Sequence, residues 1–402
     1  MKTITQKFIL TIFLFTINGV FAQTLVQAYA NIANQVSQTN VTNNLTEYEN
    51  LGVKSRGSVA LGNTLTWLKN KYTSYGYTTS QIVEDPYTYS GSPATVKNLV
   101  VTKLGTRYPD IFVIICGHYD SYDVKNMGSK GTNDNGSGLA TILEVARLLQ
   151  NVPTEYSVKF INFSGEEEGL HGSQHFVSAV VNSNVPKMNI KLVFNIDEVG
   201  GVAGMTNNTI TCERDTDASP STNNAASNTI TNELITCVGL YSPLNTSLSY
   251  AYSSDYMPFE ANNEIITGFF ETNETTHKHT ATDLLIYMDP VYNYKVAKAA
   301  TGAMLHFAVA STALSNEDFN QDFQVSFFPN PTRDFINIDL GILTEKEYQF
   351  SLIDINGKVV LEKTITNPNQ LEKINITSFT KGLYLATLNA GNKKISKKIV
   401  IE

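Results

Sequence analysis

The chain has 402 residues, 42% hydrophobic and 16% charged, with a formal net charge of −8 at pH 7. This is the composition of a globular protein of two or three domains and not of a disordered chain. The acidic balance provides no basic field, which argues against binding to nucleic acid or to anionic lipid.

Residues 1–22 have the pattern of a secretory signal peptide. Lys2 and Lys7 give a positive start, and residues 8–21 form an apolar core too short to span a membrane comfortably. Residues 20–22, Val-Phe-Ala, offer a cleavage site before Gln23. A membrane anchor is the alternative interpretation. We expect removal of this segment and a mature chain without a transmembrane span.

Strand and helix patterns alternate through a predicted domain of residues 23–314. Residues 23–75 are mostly helical in pattern. The predicted strands are 96–104, 110–116, 157–163, 191–196 and 264–270, and the predicted helices are 138–150, 171–181 and 290–314. Continuous apolar runs are typical of strands covered on both faces. The alternation predicts an α/β fold with a mostly parallel central sheet flanked by helices.

Two further features of this domain concern its polar segment and its cysteines. Residues 200–232 are rich in Thr, Asn, Asp and Ser, which predicts a long surface excursion near the site. Cys116 lies in a predicted buried strand, as a small core residue does. Cys212 and Cys237 could form a disulfide in an oxidising compartment, and the sequence leaves this open.

The composition changes near residue 315. A polar linker is predicted at 315–324, followed by short alternating strands over 325–402 with a hairpin turn at Asn356-Gly357. This segment has no His and no Cys. We expect a small all-β sandwich that carries no chemistry.

Histidine and carboxylate side chains stand where predicted strands of the first domain end. His118, the glutamates 166–168 and Asp197 lie at three such ends. The carboxyl ends of parallel strands meet at one rim of a sheet. Imidazole and carboxylate are zinc ligands, and two zinc ions can share one bridging carboxylate. The pattern therefore indicates a zinc site with a built-in base.

Each of these residues also has an ordinary explanation. His118 could be a turn histidine, Asp197 a loop aspartate, and Asp134 the cap of the helix that follows it. The asparagines and glycines around Asp134 favour the metal site. Three adjacent glutamates repel one another unless a cation holds them, and one can bind metal while its neighbour stays free as a base.

Two further residues are expected around the site. Asp120 could accept the proton of the second imidazole nitrogen of His118, as outer carboxylates do. His279 follows the predicted strand 264–270, and His277 is its nearest competitor.

Together these motifs resemble the M28 family of co-catalytic zinc aminopeptidases, over roughly residues 55–312. The matching segments are GHYD at 117–120, TNDNGSG at 132–138, EEEGLHGS at 166–173, NID at 195–197, SD at 254–255 and HTATD at 279–283. Several motifs in the right order are more specific than any one of them. The implied fold is that of a zinc exopeptidase.

The resemblance implies roles for individual residues. It implies five ligands for two zinc ions: His118 and Asp197 for one, Glu167 and His279 for the other, and Asp134 for both. Glu166 is the implied general base, and Glu168 has no assigned role. Asp255 and Asp283 are supporting residues. Lys278 and Tyr256 depart from the family, which often has Tyr and His there, so the oxyanion partner and substrate preference stay open.

The implied activity is a secreted aminopeptidase acting on peptides with a free N-terminus, with Glu166 taking the proton of a water between the zincs. M28-like carboxypeptidases and single-zinc glutaminyl cyclases are alternatives, and so is an inactive surface binding protein. Five intact ligands disfavour the cyclase. A complete ligand set with its base disfavours the inactive protein.

The C-terminal segment resembles the type A sorting domain of the Por (type IX) secretion system. The matching segments are FPNPT at 328–332, IDINGKV at 353–359 and KGLYL at 381–385. This implies an interaction with secretion machinery, followed by cleavage or surface attachment. A small adhesive sandwich is the alternative.

Overall fold

A computed structural model describes residues 24–89, 95–183, 185–311, 326–340, 347–355, 357–366, 371–390 and 393–402. The predicted signal peptide and the predicted linker at 315–324 lie outside these ranges. The chain divides into two compact units, residues 1–312 and 313–402.

The first unit begins with helices, as the pattern of residues 23–75 predicts. They are α1 (Gln27–Ala33), α2 (Gln38–Asn50) and α3 (Val59–Ser74). Ser37 and Ser58 cap α2 and α3, each accepting a hydrogen bond from the backbone amide three residues further on.

A mixed sheet of eight strands forms the centre of this unit. The strands are β1 (Ile82–Tyr87), β2 (Val96–Lys103), β3 (Tyr108–His118), β4 (Tyr156–Phe163), β5 (Asn189–Ile196), β6 (Thr209–Arg214), β7 (Asn245–Tyr250) and β8 (Ile266–Glu271). Their order is β1-β2-β4-β3-β5-β8-β6-β7. The central strands β4, β3, β5 and β8 are parallel, whereas β8 and β6 are antiparallel. The predicted mostly parallel α/β fold is confirmed.

Helices cover both faces of the sheet. They are α4 (Gly136–Leu149), α5 (His171–His175) with a π-helical continuation at Phe176–Val181, α6 (Asn224–Tyr241), α7 (Met257–Ala261) and α8 (Pro290–Phe307). Alternate residues of β3 face opposite layers: Val113 and Ile115 belong to one buried cluster, Ile114 and Cys116 to another. This explains the continuous apolar run in the sequence. No helix in the described ranges is long and apolar enough to cross a membrane.

Two local expectations are wrong. The segment 200–232 is not one surface excursion, because it contains β6 and the start of α6. Helix α8 ends at Phe307 and not near residue 314, and Ala310 then pairs with Thr154 in an isolated bridge. The three cysteines are buried and none forms a disulfide, so Cys212 and Cys237 are not bonded to each other.

The second unit is all-β, as predicted. Its strands are β9 (Ser326–Phe328), β10 (Phe335–Asp339), β11 (Glu347–Ile353), β12 (Val359–Thr366), β13 (Leu371–Asn375), β14 (Gly382–Ala390) and β15 (Lys393–Ile401). They form two antiparallel sheets, β13-β10-β9 and β12-β11-β14-β15. Both sheets contribute to one hydrophobic cluster that includes Ile338 and Phe350.

Candidate metal centre

The ends of the central strands bring the predicted site residues to one rim of the sheet. His118 is the last residue of β3, Asp197 directly follows β5, and the glutamates 166–168 follow β4 in a short turn. Asp134 precedes α4 but does not cap it. The cap is Asn135, whose Oδ1 accepts a hydrogen bond from the amide of Gly138 at 3.0 Å.

Asp134 lies between two histidines. Its Oδ1 is 3.1 Å from Nε2 of His118, and its Oδ2 is 3.1 Å from Nε2 of His279. Asp197 Oδ1 lies 3.4 Å from Nε2 of His118, and Glu167 Oε2 lies 3.2 Å from Nε2 of His279. All five predicted ligands therefore converge.

These residues form two triads that share Asp134. The first triad is His118, Asp134 and Asp197, and the second triad is Asp134, Glu167 and His279. Within each, the ligand atoms all lie within 4.8 Å of one another. The triads differ in solvent access, since the side chain of His118 is 1% exposed and that of His279 is 46% exposed.

Glu166 belongs to neither triad and lies beside both. Its Oε2 is 4.0 Å from Nε2 of His118. Burial raises the pKa of Glu166 well above its ordinary value, and the charge of Asp197 adds to this rise while His118 opposes it. A buried carboxyl group with a raised pKa, next to the ligands but outside them, has the position expected of a proton acceptor.

Asp120 lies beside the second imidazole nitrogen of His118, as predicted. Nδ1 of His118 lies 3.7 Å from the carboxylate Oδ1 of Asp120 and 3.2 Å from its backbone carbonyl oxygen, so the carbonyl is the nearer of the two. The carboxylate also accepts hydrogen bonds from the amides of Glu166 and Glu167, both at 3.3 Å. Asp120 therefore holds the turn that presents the two glutamates.

Two other side chains hold the aspartates of the triads. Asp283 accepts hydrogen bonds from the amides of Asn133, at 2.8 Å, and Asp134, at 3.1 Å. Ser254 donates to Oδ2 of Asp197 at 2.5 Å. Asp255, the other expected supporting residue, is fully buried, and burial raises its pKa to about 7.

The residues present fit a pair of divalent cations. In the described structure, Nε2 of His118, Oδ1 of Asp197 and Oε1 of Glu167 are buried and make no hydrogen bond of acceptable geometry. Buried polar atoms without partners are costly, and two of these, Nε2 of His118 and Oδ1 of Asp197, lie 3.4 Å apart. Burial, together with the charge of Asp134, raises the pKa of Glu167 to about 8. Nitrogen and carboxylate oxygen donors suit zinc.

The other histidines lie outside the triads. His277, the competitor of His279, stacks on Tyr287, and its Nδ1 lies 2.8 Å from Oγ1 of Thr282. The remaining three contact other side chains: His171 stacks on Tyr89, His175 lies beside Asp85, and His306 meets Tyr241.

A cavity of about 450 Å³ opens beside the triads and is also lined by Glu166. Lys278 lies in its wall, where Nζ is 3.3 Å from Oε1 of Glu198 and also pairs with Glu274. Tyr252 and Tyr256 form another part of the wall.

Two family models match this chain, one over the region of the triads and one over the C-terminal unit. The family model described as peptidase family M28 matches residues 98–304, about half of the chain. The chain belongs to peptidase family M28. A second model, described as a secretion system C-terminal sorting domain, matches residues 326–402.

Curated relatives match the M28 region in part. Aminopeptidase YwaD of Bacillus subtilis is 42% identical over 94 residues, which are 23% of this chain and 19% of that protein. A probable zinc metalloprotease of Pyrenophora teres f. teres is 27% identical over 257 residues, 58% of this chain and 53% of that protein. The chain thus spans about half, or less, of the length of these relatives.

Solved structures share the M28 fold at low identity. The LapA aminopeptidase of Legionella pneumophila has a TM-score of 0.60 and 19% identity, covering 76% of this chain and 80% of that one. A glutaminyl cyclase of Fimbriiglobus ruber has a TM-score of 0.53 and 15% identity, covering 67% and 95%. Because the fold occurs in both, it does not by itself choose the reaction.

Two carboxylates of the M28 cavity were not predicted from the sequence. Glu198 directly follows Asp197, and this acidic pair after an apolar strand repeats the pattern of the glutamate triplet. Glu213 lies in β6, within the segment whose polar composition predicted a surface excursion. The alternation of buried Ile210 and Cys212 is the pattern that could have revealed this strand.

Proposed function

We propose that the chain is a secreted metallo-aminopeptidase that removes N-terminal residues from peptides and holds two zinc ions. The observation that carries the proposal is the shared carboxylate of Asp134, which gives two complete triads of ligand atoms within 4.8 Å. His118 and Asp197 would hold one ion, Glu167 and His279 the other, and Asp134 both. Bound zinc would polarise the scissile carbonyl and acidify the attacking water.

Glu166 has the role of proton carrier. Its carboxylate accepts a proton as the water oxygen bonds to the carbonyl carbon, and it delivers that proton to the departing amine nitrogen when the C–N bond breaks. The backbone amide of Glu166 donates to the carboxylate of Asp120 at 3.3 Å, which holds the turn that carries Glu166.

The related proteins support the class of reaction and the metal. One curated relative is named an aminopeptidase and another a probable zinc metalloprotease, and the LapA structure is an aminopeptidase. The sorting-domain match supports export through secretion machinery that acts on the C-terminal unit. The predicted signal peptide agrees with this destination.

The first test is Glu166→Gln, measured with zinc content and hydrolysis of aminoacyl anilides. We expect zinc content to stay at two ions per chain and turnover to fall by about 100- to 10,000-fold. Turnover close to that of the unaltered protein would remove Glu166 from the role of base.

A substrate panel tests the reaction itself. We expect hydrolysis of aminoacyl anilides, no hydrolysis of N-blocked peptides, and no cyclisation of peptides with N-terminal glutamine. Hydrolysis of blocked peptides from their C-terminus would favour a carboxypeptidase. Cyclisation with one zinc ion per chain would favour a cyclase.

A further inference from the structure

The register of the sheet puts Glu213 of β6 on the face that carries the first triad. Asn195 of β5 pairs with Gly268 of β8, which pairs with Glu213. Paired residues of neighbouring strands point to the same face. The side chain of Asn195 donates to Oγ of Ser254 at 2.8 Å, and Ser254 in turn donates to Asp197. Glu213 therefore stands on the metal-facing side, two strands away from Asn195.

Gly268 provides the space in which Glu213 meets Tyr256. A Cβ atom at Gly268 would lie 2.7 Å from Cε1 of Tyr256 and 3.0 Å from Oε2 of Glu213, so any side chain there would collide. The hydroxyl of Tyr256 donates to Oε2 of Glu213 at 2.6 Å and accepts from the amide of Tyr252 at 3.0 Å. The carboxylate is thus fixed in direction.

The second oxygen of this carboxylate is available to a ligand. Glu213 is 4% exposed and lines the same cavity as Glu166 and His279. Within the part of the chain that the structure describes, Tyr256 is its one hydrogen-bond donor, and Oε1 has none. We call Glu213, Tyr252 and Tyr256 the far wall of the cavity.

Among the described residues, Glu213 forms no ion pair with a lysine or arginine, although it lines the same cavity as Lys278. Lys278 is paired with Glu198 at 3.3 Å. Burial raises the pKa of Glu213 to about 8, and a cation brought by the substrate would hold its carboxylate in the charged form at neutral pH.

We propose that Glu213 selects peptides whose N-terminal residue has a cationic side chain, lysine or arginine. The scissile bond lies at the triads, and the side chain extends along Tyr252 and Tyr256 to Oε1 of Glu213. The exposed ring of Tyr252 covers its aliphatic stem and attracts its charge. This inference rests on the proposed function and names the substrate class of the same site.

The test compares lysyl and norleucyl anilides, which differ by the terminal ammonium group. Measured on the full chain, kcat/KM should be higher for the lysyl substrate. In Glu213→Gln, which keeps the size and an acceptor for Tyr256, we expect the lysyl-to-norleucyl ratio to fall about 10- to 100-fold. The change in the ratio should come from a lower kcat/KM on the lysyl substrate.

Two further variants separate the role of Glu213 from a general effect of substitution. Tyr256→Phe removes the hydroxyl that orients the carboxylate, and the ratio should fall about 3- to 10-fold. Glu264→Gln changes another buried carboxylate, one that pairs with Lys187 at 2.5 Å outside the cavity lining, and should leave the ratio unchanged.

The outcomes separate the two proposals. An unaltered protein that does not prefer lysyl over norleucyl anilide, or an unchanged ratio in both Glu213→Gln and Tyr256→Phe, would overturn the role of Glu213. If Glu213→Gln loses zinc, the lysyl-to-norleucyl ratio of Tyr256→Phe alone decides whether Glu213 has this role. No hydrolysis of either anilide by the zinc-loaded protein would contradict the proposed function itself.

Discussion

The metal side of the cavity and its far wall are built in different ways. The metal side, which comprises the two triads and Glu166, comes mainly from the ends of parallel strands β3, β4 and β5 and from the loop before α4. The far wall comes from β6, which is antiparallel to β8, and from the turn after β7. The parallel direction of the strands brings the residues of the metal side together, whereas the register between β6 and β8 positions the far wall.

This difference separates the reaction from the choice of substrate. Every ligand of the proposed zinc ions lies on the metal side, so substitutions there should affect all substrates alike. Substitutions in the far wall leave the triads intact and should change only the ratio between substrates. The following variants test that division, from the largest expected effect to the smallest.

Asp134→Ala removes the carboxylate common to both triads. Because each triad loses a ligand, we expect zinc content to fall below two ions per chain and activity on every anilide to fall by several orders of magnitude. Metal analysis and kcat/KM measure this. Glu168→Ala is the matched control, since Glu168 pairs with Arg56 at 3.0 Å outside both triads and should keep full zinc content. Equal losses in the two variants would contradict the shared role of Asp134.

Asp283→Asn weakens the hold on the loop that presents Asp134. In the variant, an NH2 group replaces one carboxylate oxygen and cannot accept a hydrogen bond, so one of the two bonds from the backbone amides is lost. Zinc affinity should therefore fall about 10- to 100-fold, and added zinc should restore activity. Zinc titration of the stripped protein measures this. Asp289→Asn makes the same change at the N-cap of α8 and should leave the affinity unchanged. An effect of similar size there would assign the loss to general destabilisation.

Gly268→Ala places a methyl group against Tyr256 and Glu213. We expect a few-fold fall in the lysyl-to-norleucyl ratio, with zinc content maintained, because the collision displaces the far wall and not the triads. A variant that loses zinc but keeps the ratio would contradict the division between the two regions.

Lys54→Met tests the contribution of a buried lysine near the metal side. The measurement is the pH dependence of the free energy of unfolding. Lys54 is fully buried, its Nζ donates to the carbonyl of Lys130 at 2.7 Å, and burial lowers its pKa to about 7. A lysine whose pKa is lowered on folding contributes most above its unfolded pKa, and that contribution is lost as pH falls towards 7. The free energy of unfolding of the unaltered protein should therefore rise, relative to the variant, between about pH 7 and about pH 10. A constant difference across that range would contradict the lowered pKa.

The sequence predicts the metal side well because the pattern is local. His118 and Asp197 each stand at the end of an apolar strand, and a parallel sheet brings such ends together. Asp134 stands in a glycine-rich turn before a helix with clear apolar periodicity. These local signs suffice to predict a converging set. The sequence does not show that the backbone carbonyl of Asp120 lies nearer to Nδ1 of His118 than the carboxylate does, because this depends on backbone geometry.

The far wall was not predicted because its signs are not local. Glu213 lies in a Thr-rich strand whose composition resembles a loop, and its partner Tyr256 is 43 residues away along the chain. They meet over Gly268 of β8, which pairs with Glu213 and lies against the ring of Tyr256. Tyr256 departs from the family pattern, but nothing in the sequence indicates which side chain its hydroxyl contacts.

The unequal exposure of His118 and His279 has a kinetic consequence for the proposed ions. A cation in the first triad would be enclosed by buried donors, whereas one in the second triad would have an open side next to solvent. The ion of the second triad should then dissociate faster. Brief exposure to a chelator should leave a protein with one ion, in the first triad, and the second triad should bind metal again quickly when metal is added.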